Sequence, residues 1–176
     1  LQVAKSGVAM ILAWLAAAAV IPGPLPIFAA IAALLVVQPS LNQSFLRAVE
    51  RSTGVIAGVL LATALQAAFG SAGWVALTAA VVALLLAWAL RSTPGTANQM
   101  AISALLVLAL STGTASYGID RIVETVIGAV IGLVVNVALV PPVAVGPARS
   151  SVNALAEELA QTLERLARAL ELPTTA

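Results

Sequence analysis

The chain has 176 residues, of which 61% are hydrophobic and only 9% are charged, and its formal net charge is +1. Soluble domains carry about 25% charged residues, so this composition excludes an ordinary soluble domain and predicts an all-α protein of the lipid bilayer. The small net charge and the lack of a basic cluster argue against nucleic acid as a partner. Because the chain has no cysteine and no histidine, we expect no metal, no cofactor and no enzymatic activity.

Six apolar segments, separated by turn-forming or polar residues, follow one another in the first 146 residues. They cover about residues 3–21, 25–37, 45–69, 74–90, 97–110 and 120–140. We interpret each segment as a transmembrane helix and residues 1–146 as one transmembrane domain. The second and fifth segments are short: a helix over residues 25–37 reaches only about 20 Å, whereas the hydrocarbon core of a bilayer is about 30 Å thick.

One motif occurs twice, at the start of the third and of the sixth segment. Residues 47–58 and 121–132 both read R-x-x-E-x-x-x-G-x-x-x-G, and the same offset places Trp14 on Trp88. This pattern predicts an internal duplication, with one repeat over about 1–72 and the other over about 73–146. Because each repeat has three spans, we expect the two to be inserted in opposite orientations, an architecture common in transporters.

The positions of the basic residues predict the orientation in the membrane. If both termini are cytoplasmic, Arg121 lies outside, and the remaining lysine and arginine residues lie inside, as the positive-inside tendency requires. In this orientation the charged starts of the two motif helices, at Arg47 and Arg121, lie at opposite faces of the membrane.

The motif residues share one face of each helix, because steps of three and four residues stay on one side. The stripes consist of Arg47, Glu50, Arg51, Gly54 and Gly58 in the first copy and of Arg121, Glu124, Gly128 and Gly132 in the second. We interpret the glycines as positions where two helices pack closely. The arginines have two interpretations: they bind an anion, with Glu50 or Glu124 tuning them or carrying a proton, or they form i,i+3 ion pairs at the membrane surface.

The short second and fifth segments also carry polar residues toward the charged motifs. Short spans at matching places in two halves are typical of a transport site, which makes Gln38, Asn42, Gln99 and Ser103 candidate binding residues. Ordinary tilted or partly buried helices would produce the same pattern. Asn136 lies on the stripe of Gly128 and Gly132, where it either lines a pore or forms a hydrogen bond between helices.

Residues 147–176 have a different character and form a predicted second part of the chain. Apolar residues recur at steps of three and four, and charged residues fill the other faces, which is typical of an amphipathic helix on the cytoplasmic side. The apolar positions are Val152, Leu155, Leu159, Leu163, Leu166 and Leu170. The pattern resembles a coiled coil but extends over only about two and a half heptads.

The two motifs and their surroundings resemble the fusaric acid resistance / aromatic acid exporter family. The first part of the resemblance is a polar, proline-containing segment followed by an arginine and G-x-x-x-G, here Gln38-Pro39, Ser44, Arg51, Gly54 and Gly58. The second part is Arg121, Glu124-Thr125, Gly128, Gly132 and Asn136. The resemblance implies a multi-pass protein of the bacterial inner membrane that exports aromatic carboxylates. It also implies a relation to plant aluminium-activated malate channels, which have six spans per subunit and a basic pore in a dimer.

Three functional hypotheses follow from these observations. The first is a transporter that exports aromatic or other organic carboxylate anions, with proton coupling as one form of it. The second is a passive organic-anion channel whose pore lies at a homodimer interface. The third is a membrane assembly module that transports nothing. We expect a homodimer or larger homo-oligomer in each case.

Overall fold

The computed structural model describes residues 2–21, 25–70, 72–110, 116–139 and 145–171, and within these ranges all regular secondary structure is α-helical. The helices are α1 Gln2–Val20, α2 Ile27–Val36, α3 Leu41–Phe69, α4 Gly73–Ala89, α5 Pro94–Leu110, α6 Ser116–Leu139 and α7 Val145–Glu171. The predicted all-α fold is therefore confirmed. Three helices, α1, α3 and α6, are long and apolar enough to cross a membrane, while α2, α4 and α5 are shorter apolar helices.

Three helices begin earlier than the sequence predicts. The third begins at Leu41 rather than near residue 45, because the Ser40 side chain caps it by accepting a hydrogen bond from the backbone N–H of Gln43 at 3.3 Å. The fifth begins at Pro94, and proline suits the first position of a helix, where its missing N–H costs nothing. The sixth begins at Ser116 instead of near residue 120. As a result, the motif residues lie further inside their helices than expected.

The chain divides into two compact units, Leu1–Leu139 and Val140–Ala176. The first unit is packed with small residues: one buried cluster includes Ala79, Ala83 and Ala104, and another includes Ala13 and Ala29. Large apolar side chains point outward instead, and Trp88 is 81% exposed. Small residues inside and large apolar residues outside are typical of helices that pack against each other in lipid.

The glycines of the two motifs lie where helices of opposite halves make contact. A Cβ atom built on Gly58, in α3, would lie 2.8 Å from the Cβ of Ser103 in α5. A Cβ atom on Gly132, in α6, would lie 2.9 Å from the carbonyl oxygen of Ala33 in α2. Each glycine helix therefore packs against the middle helix of the other half, and the missing side chains permit the close approach. Of these two middle helices only α2, with 10 residues, is short; α5 has 17 residues, as many as α4, so the prediction of a short fifth helix is wrong.

The helices α3 and α6 run antiparallel in the centre of this unit. Ser44, near the start of α3, bonds to Asn136 near the end of α6, and Val59, further along α3, lies against Gly118 near the start of α6. This arrangement brings the charged motifs of the two helices to α5 from opposite directions, Arg51 at Gln99 and Arg121 at Ser103.

The second unit contains α7, a helix of 27 residues. It begins at Val145, close to the predicted start at residue 147, and its side chains are described over residues 152–168.

Candidate functional site

A polar cavity of about 300 Å³ lies between the end of α2, the second and third turns of α3 and the first two turns of α5. Its lining includes five of the predicted binding residues and one predicted turn residue, and it consists of Leu35, Gln38, Arg47, Glu50, Arg51, Gly95 and Gln99. A second cavity of about 360 Å³ shares Gln38, Arg47, Glu50 and Gly95 with it. The structure thus brings together residues that lie up to 64 positions apart in the sequence, from Leu35 to Gln99.

Arg47 and Glu50 lie at the outer edge of the first cavity. The Arg47 Nη1 atom is 3.4 Å from the Glu50 carboxylate, and the two side chains are 58% and 12% exposed. A partly exposed i,i+3 pair of this kind contributes only about a few tenths of a kcal/mol. Gly95 faces the same carboxylate, and a Cβ atom at this position would overlap it. The glycine therefore leaves the space that Glu50 occupies.

Arg51 lies one turn further along α3 and is 7% exposed. Its Nη1 atom donates to the Oε1 atom of Gln99 at 3.2 Å, while its Nε atom has no hydrogen-bond partner among the described residues. Within those residues no carboxylate forms an ion pair with it. Arg51 is therefore a buried cation on the wall of a cavity, and at least one of its N–H donors has no hydrogen-bond partner among the described residues.

Arg121, from the second motif, reaches the same helix from the other side. It is 2% exposed, its Nη2 atom lies 3.5 Å from the Ser103 hydroxyl, and its guanidinium carbon lies 4.0 Å from the centre of the Phe28 ring. Gln99 and Ser103 are one turn apart on α5, so the two buried arginines converge on one face of that helix. The charge of Arg121 disfavours the charge of Arg51, while the charge of Arg121 is itself favoured by Glu124, three residues further along α6.

The nitrogen atoms of Arg121 are only partly satisfied. The Nε and Nη1 atoms have no hydrogen-bond partner in the described part of the chain. Buried polar groups in native proteins are nearly always bonded, so these two nitrogen atoms can accept a further partner such as a water molecule or an anion. Together, Arg47, Arg51 and Arg121 form a series of cations that leads from the exposed edge of the cavity into the helix bundle.

Glu124 lies deeper than Glu50 and has a different environment. It is 5% exposed, and its Oε2 atom accepts hydrogen bonds from the backbone N–H groups of Phe28 at 2.9 Å and Ala29 at 3.3 Å. These are orphan donors of the first turn of α2, where a carboxylate is favourable. Glu124 thus joins the start of α2 to α6, and it does not line the cavity of Arg51.

Two other predicted residues lie away from that cavity. Asn136 is fully buried, and its Nδ2 atom donates to the Ser44 hydroxyl at 2.6 Å, which also accepts from the backbone N–H of Gln38 at 2.9 Å. This small network holds α6, the start of α3 and the end of α2 together. Asn42 is exposed and lines neither of the two cavities.

Sequence reasoning gave no site role to several residues that surround the arginines. Phe28, which stacks on Arg121, and Tyr117, whose ring lies edge-on to Phe28 with centroids 6.4 Å apart, read as ordinary apolar or interfacial residues. Lys5 was expected only to mark the cytoplasmic side, yet it is 5% exposed. For Phe28 and Tyr117 the sequence offers one signal, the scarcity of aromatic residues: the chain has only seven, with 3 Trp, 1 Tyr and 3 Phe. For Lys5 the sequence offers no such signal.

Comparison with known proteins adds one finding to this geometry. A family model described as fusaric acid resistance protein-like matches residues 9–135, which include both charged motifs and both buried arginines. Comparison with curated proteins and with solved structures gives no match. In the described residues, no group of three acidic, histidine or cysteine side chains is placed to hold a metal ion.

Proposed function

This chain belongs to the fusaric acid resistance protein-like family, and from that premise we propose that it exports aromatic or other organic carboxylate anions across the bacterial inner membrane. Membership of the family suggests a membrane transport or efflux role. The observation that carries the choice of an anion is Arg51, a buried guanidinium on the cavity wall, with Arg121 beside it and no carboxylate bonded to either among the described residues.

The energetics of burial support an anionic substrate. Removing a charge from water costs several kcal/mol unless an opposite charge and hydrogen bonds compensate for it. Arg51 has a bond to the neutral Gln99, and the neighbouring Arg121 adds repulsion. A carboxylate in the cavity would accept bonds from the free donors and offset both terms. Arginine suits this role because its planar group binds a carboxylate through two parallel hydrogen bonds.

Two apolar side chains near the arginines leave room for an aromatic body on the substrate, while the lining of the cavity itself is mostly polar. Phe28 lies over the Arg121 guanidinium, and Leu35 is part of the cavity lining. Small-molecule sites usually combine apolar walls with a small number of polar groups that fix the orientation of the ligand, whereas this cavity has one apolar side chain, Leu35, and five polar or charged ones. The cavity of about 300 Å³ is at the lower end of the range for small-molecule sites, about 300–1,000 Å³.

We further propose that all six helices of the first unit cross the membrane as two inverted repeats. Two contacts support this proposal: α3 packs against α5 and α6 packs against α2, so that equivalent helices exchange partners between the halves. The antiparallel course of α3 and α6 is what an odd number of spans per repeat requires. The cytoplasmic placement of both termini follows from this topology and the basic residues.

Glu50 and Glu124 are the candidates for proton coupling. Glu50 lines the cavity, where water and substrate reach it, and its charge lies beside Arg47 and near Arg51. Glu124 bonds to the start of α2, so a change in its charge would act on the position of that helix. Replacing each with glutamine separates the two roles: loss of gradient-driven accumulation with retained exchange would identify the coupling residue.

The test is uptake of a labelled aromatic carboxylate such as benzoate into proteoliposomes, with and without an imposed pH gradient. We expect saturable flux that falls at least tenfold in Arg51→Gln and in Arg121→Gln. Arg91→Gln is the matched control, because Arg91 is exposed at the end of α4 and lines neither cavity. Flux that persists in the double variant Arg51→Gln/Arg121→Gln, in folded protein, would refute the proposal.

The same measurement decides between this proposal and the two alternatives. A passive channel at a homodimer interface, as in the plant malate channels, would give flux that only equilibrates and that shows no saturation. A membrane assembly module would give no flux for any carboxylate. The cavity favours the transporter, since residues of a single chain form its walls.

A further inference from the structure

The helix α7 carries a row of large apolar side chains that its own unit does not cover. They are Val152, Leu155, Leu159, Leu163 and Leu166. Three of them, Leu155, Leu159 and Leu166, are 70%, 62% and 59% exposed. An apolar stripe of this length on a single helix requires a surface to pack against.

The charges of α7 argue against a lipid surface as that partner. Residues 152–168 contain three glutamates and two arginines, so their net charge is 2 − 3 = −1. Helices that lie on membranes are rich in lysine and arginine on the polar face, since inner leaflets are anionic. A helix with mixed charges beside an apolar stripe is instead typical of a helix-to-helix contact.

The charged residues of α7 fall into two groups. Glu157, Glu164 and Arg168 lie on the outer face, and the last two form an ion pair with each other at 3.2 Å. Glu158 and Arg165 border the apolar stripe, seven residues apart, and neither forms an ion pair within the described residues. In heptad notation Leu159 and Leu166 take position a, and Glu158 and Arg165 take the adjacent position g.

We propose that α7 pairs in antiparallel orientation with α7 of a second copy of this chain. In this register Leu155 of one copy packs against Leu166 of the second copy. Glu158 then faces Arg165 of the second copy, and the two-fold axis repeats both contacts. The opposite flank places Leu163 against Ala156 of the second copy, a large residue against a small one.

The same charges exclude the competing arrangements. A parallel pair would place Glu158 beside Leu163 of the second copy, where no charge compensates for it. Shifting the antiparallel pair by one heptad brings Glu158 opposite Glu158, or Arg165 opposite Arg165, depending on the direction of the shift. Of these arrangements only one antiparallel register therefore pairs opposite charges. The registers shifted by one heptad in either direction are disfavoured because they bring like charges together.

Two and a half heptads form a weak contact on their own. In the membrane, each α7 is tethered to the unit Leu1–Leu139, which raises the effective concentration of one helix near another. The proposal concerns the assembly of the chain and holds whether or not the first unit transports an anion.

Cysteine cross-linking tests the orientation, because the natural chain contains no cysteine. Full-length Leu155→Cys and Leu166→Cys chains, with different tags, are co-expressed in membranes and oxidised. We expect disulfides between the two variants and none within either variant alone. In the antiparallel pair the two copies of Leu155 are about 16 Å apart along the axis, beyond the reach of a disulfide, about 7 Å between Cα atoms.

Charge reversal tests the register in the same cross-linking assay. Glu158→Arg and Arg165→Glu, each introduced into both copies, are expected to reduce the association constant about tenfold. The double variant Glu158→Arg/Arg165→Glu inverts both pairs and is expected to restore it. The matched control Glu157→Arg changes a neighbouring glutamate on the outer face and should have no effect.

Several outcomes would overturn the proposal. Cross-linking within the Leu155→Cys variant alone would indicate a parallel pair. Absence of all cross-links in folded protein would mean that lipid or the first unit of the chain covers the stripe. Failure of the double charge reversal to restore cross-linking would reject the register. None of these results depends on transport activity, which is measured separately.

Discussion

Replacing Arg51 with methionine is expected to stabilise the protein and abolish its response to substrate. Arg51 is 7% exposed, bonds to a neutral side chain and is repelled by Arg121. Methionine fills a similar volume without a charge. An arginine with a purely structural role would show the opposite behaviour, because its removal would break compensating interactions.

The size of the effect follows from three contributions. Replacing a buried ion pair by apolar residues of similar volume is often neutral or stabilises a protein by about 1–4 kcal/mol, and a buried charge without an ion-pair partner has no attraction to lose. The hydrogen bond to Gln99 is lost, but Gln99 is only half-buried and its amide oxygen remains accessible from the cavity. Because the cavity also admits water to the guanidinium, we expect a net gain of about 1–2 kcal/mol, at the lower end of this range.

Ligand binding reverses the order of stability. A carboxylate at a hundred times its Kd stabilises the protein that binds it by about 2.7 kcal/mol. We therefore expect Arg51→Met to unfold at a higher temperature than the natural protein without ligand, and at a lower temperature when benzoate is saturating.

The assay is thermal unfolding in detergent, followed by the fluorescence of the three tryptophans, all of which lie in the first unit. Arg91→Met serves as the control, with no change expected in either condition. The reasoning is refuted if Arg51→Met is destabilised and benzoate still raises its unfolding temperature as much as in the natural protein.

Three further predictions concern packing and the edge of the cavity. Gly128→Ala is expected to lower the free energy of unfolding by about 1–3 kcal/mol, since the added Cβ atom overlaps α2. Gly7→Ala, which meets no atom within 4 Å, should be neutral or stabilising in the same assay. Gly95→Ala should reduce transport without lowering stability, because it displaces the neighbouring carboxylate. Ser44→Ala and Asn136→Ala should each cost about 1–3 kcal/mol in unfolding measurements, and together less than the sum.

Each of these three predictions has an outcome that contradicts it. Equal losses of stability in Gly128→Ala and Gly7→Ala would mean that the contact with α2 has no energetic role. Normal transport in Gly95→Ala would mean that the position of the Glu50 carboxylate does not affect transport. Additive costs in the Ser44 and Asn136 double variant would show that their bond contributes nothing.

The order and type of the helices could be predicted from the sequence because apolar runs and turn residues alternate clearly along the chain. The starts of α3 and α5 were less predictable, since Ser40 and Pro94 extend these helices into polar sequence. A polar residue after a proline, such as Ser40 after Pro39, is typical of a loop in sequence. In the structure Ser40 caps the helix that follows it. Because these helices begin about one turn earlier than predicted, the charged residues lie about one turn deeper inside them.

The face of each charged residue could be predicted, but its depth and partners could not. Periodicity places Arg51 and Arg121 on the glycine stripes, yet it gives no measure of distance along the membrane normal. The predicted orientation, with the motif starts at opposite faces of the membrane, suits two gates better than one shared pocket. Instead, the extended helices and the long arginine side chains bring both guanidiniums to neighbouring turns of α5, at Gln99 and Ser103. Such contacts depend on tertiary packing, which a single sequence does not encode locally.

The exchange of partners between the halves also has a consequence for biosynthesis. Gly58 is made 45 residues before Ser103 and Ala29 is made 99 residues before Gly128, which at about 5–20 residues per second corresponds to delays of several seconds or more. During this interval the first half has an unfilled glycine groove and an α2 helix without its glutamate cap. The first half alone is therefore an incomplete folding unit, and it completes its packing only after the second half has been synthesised.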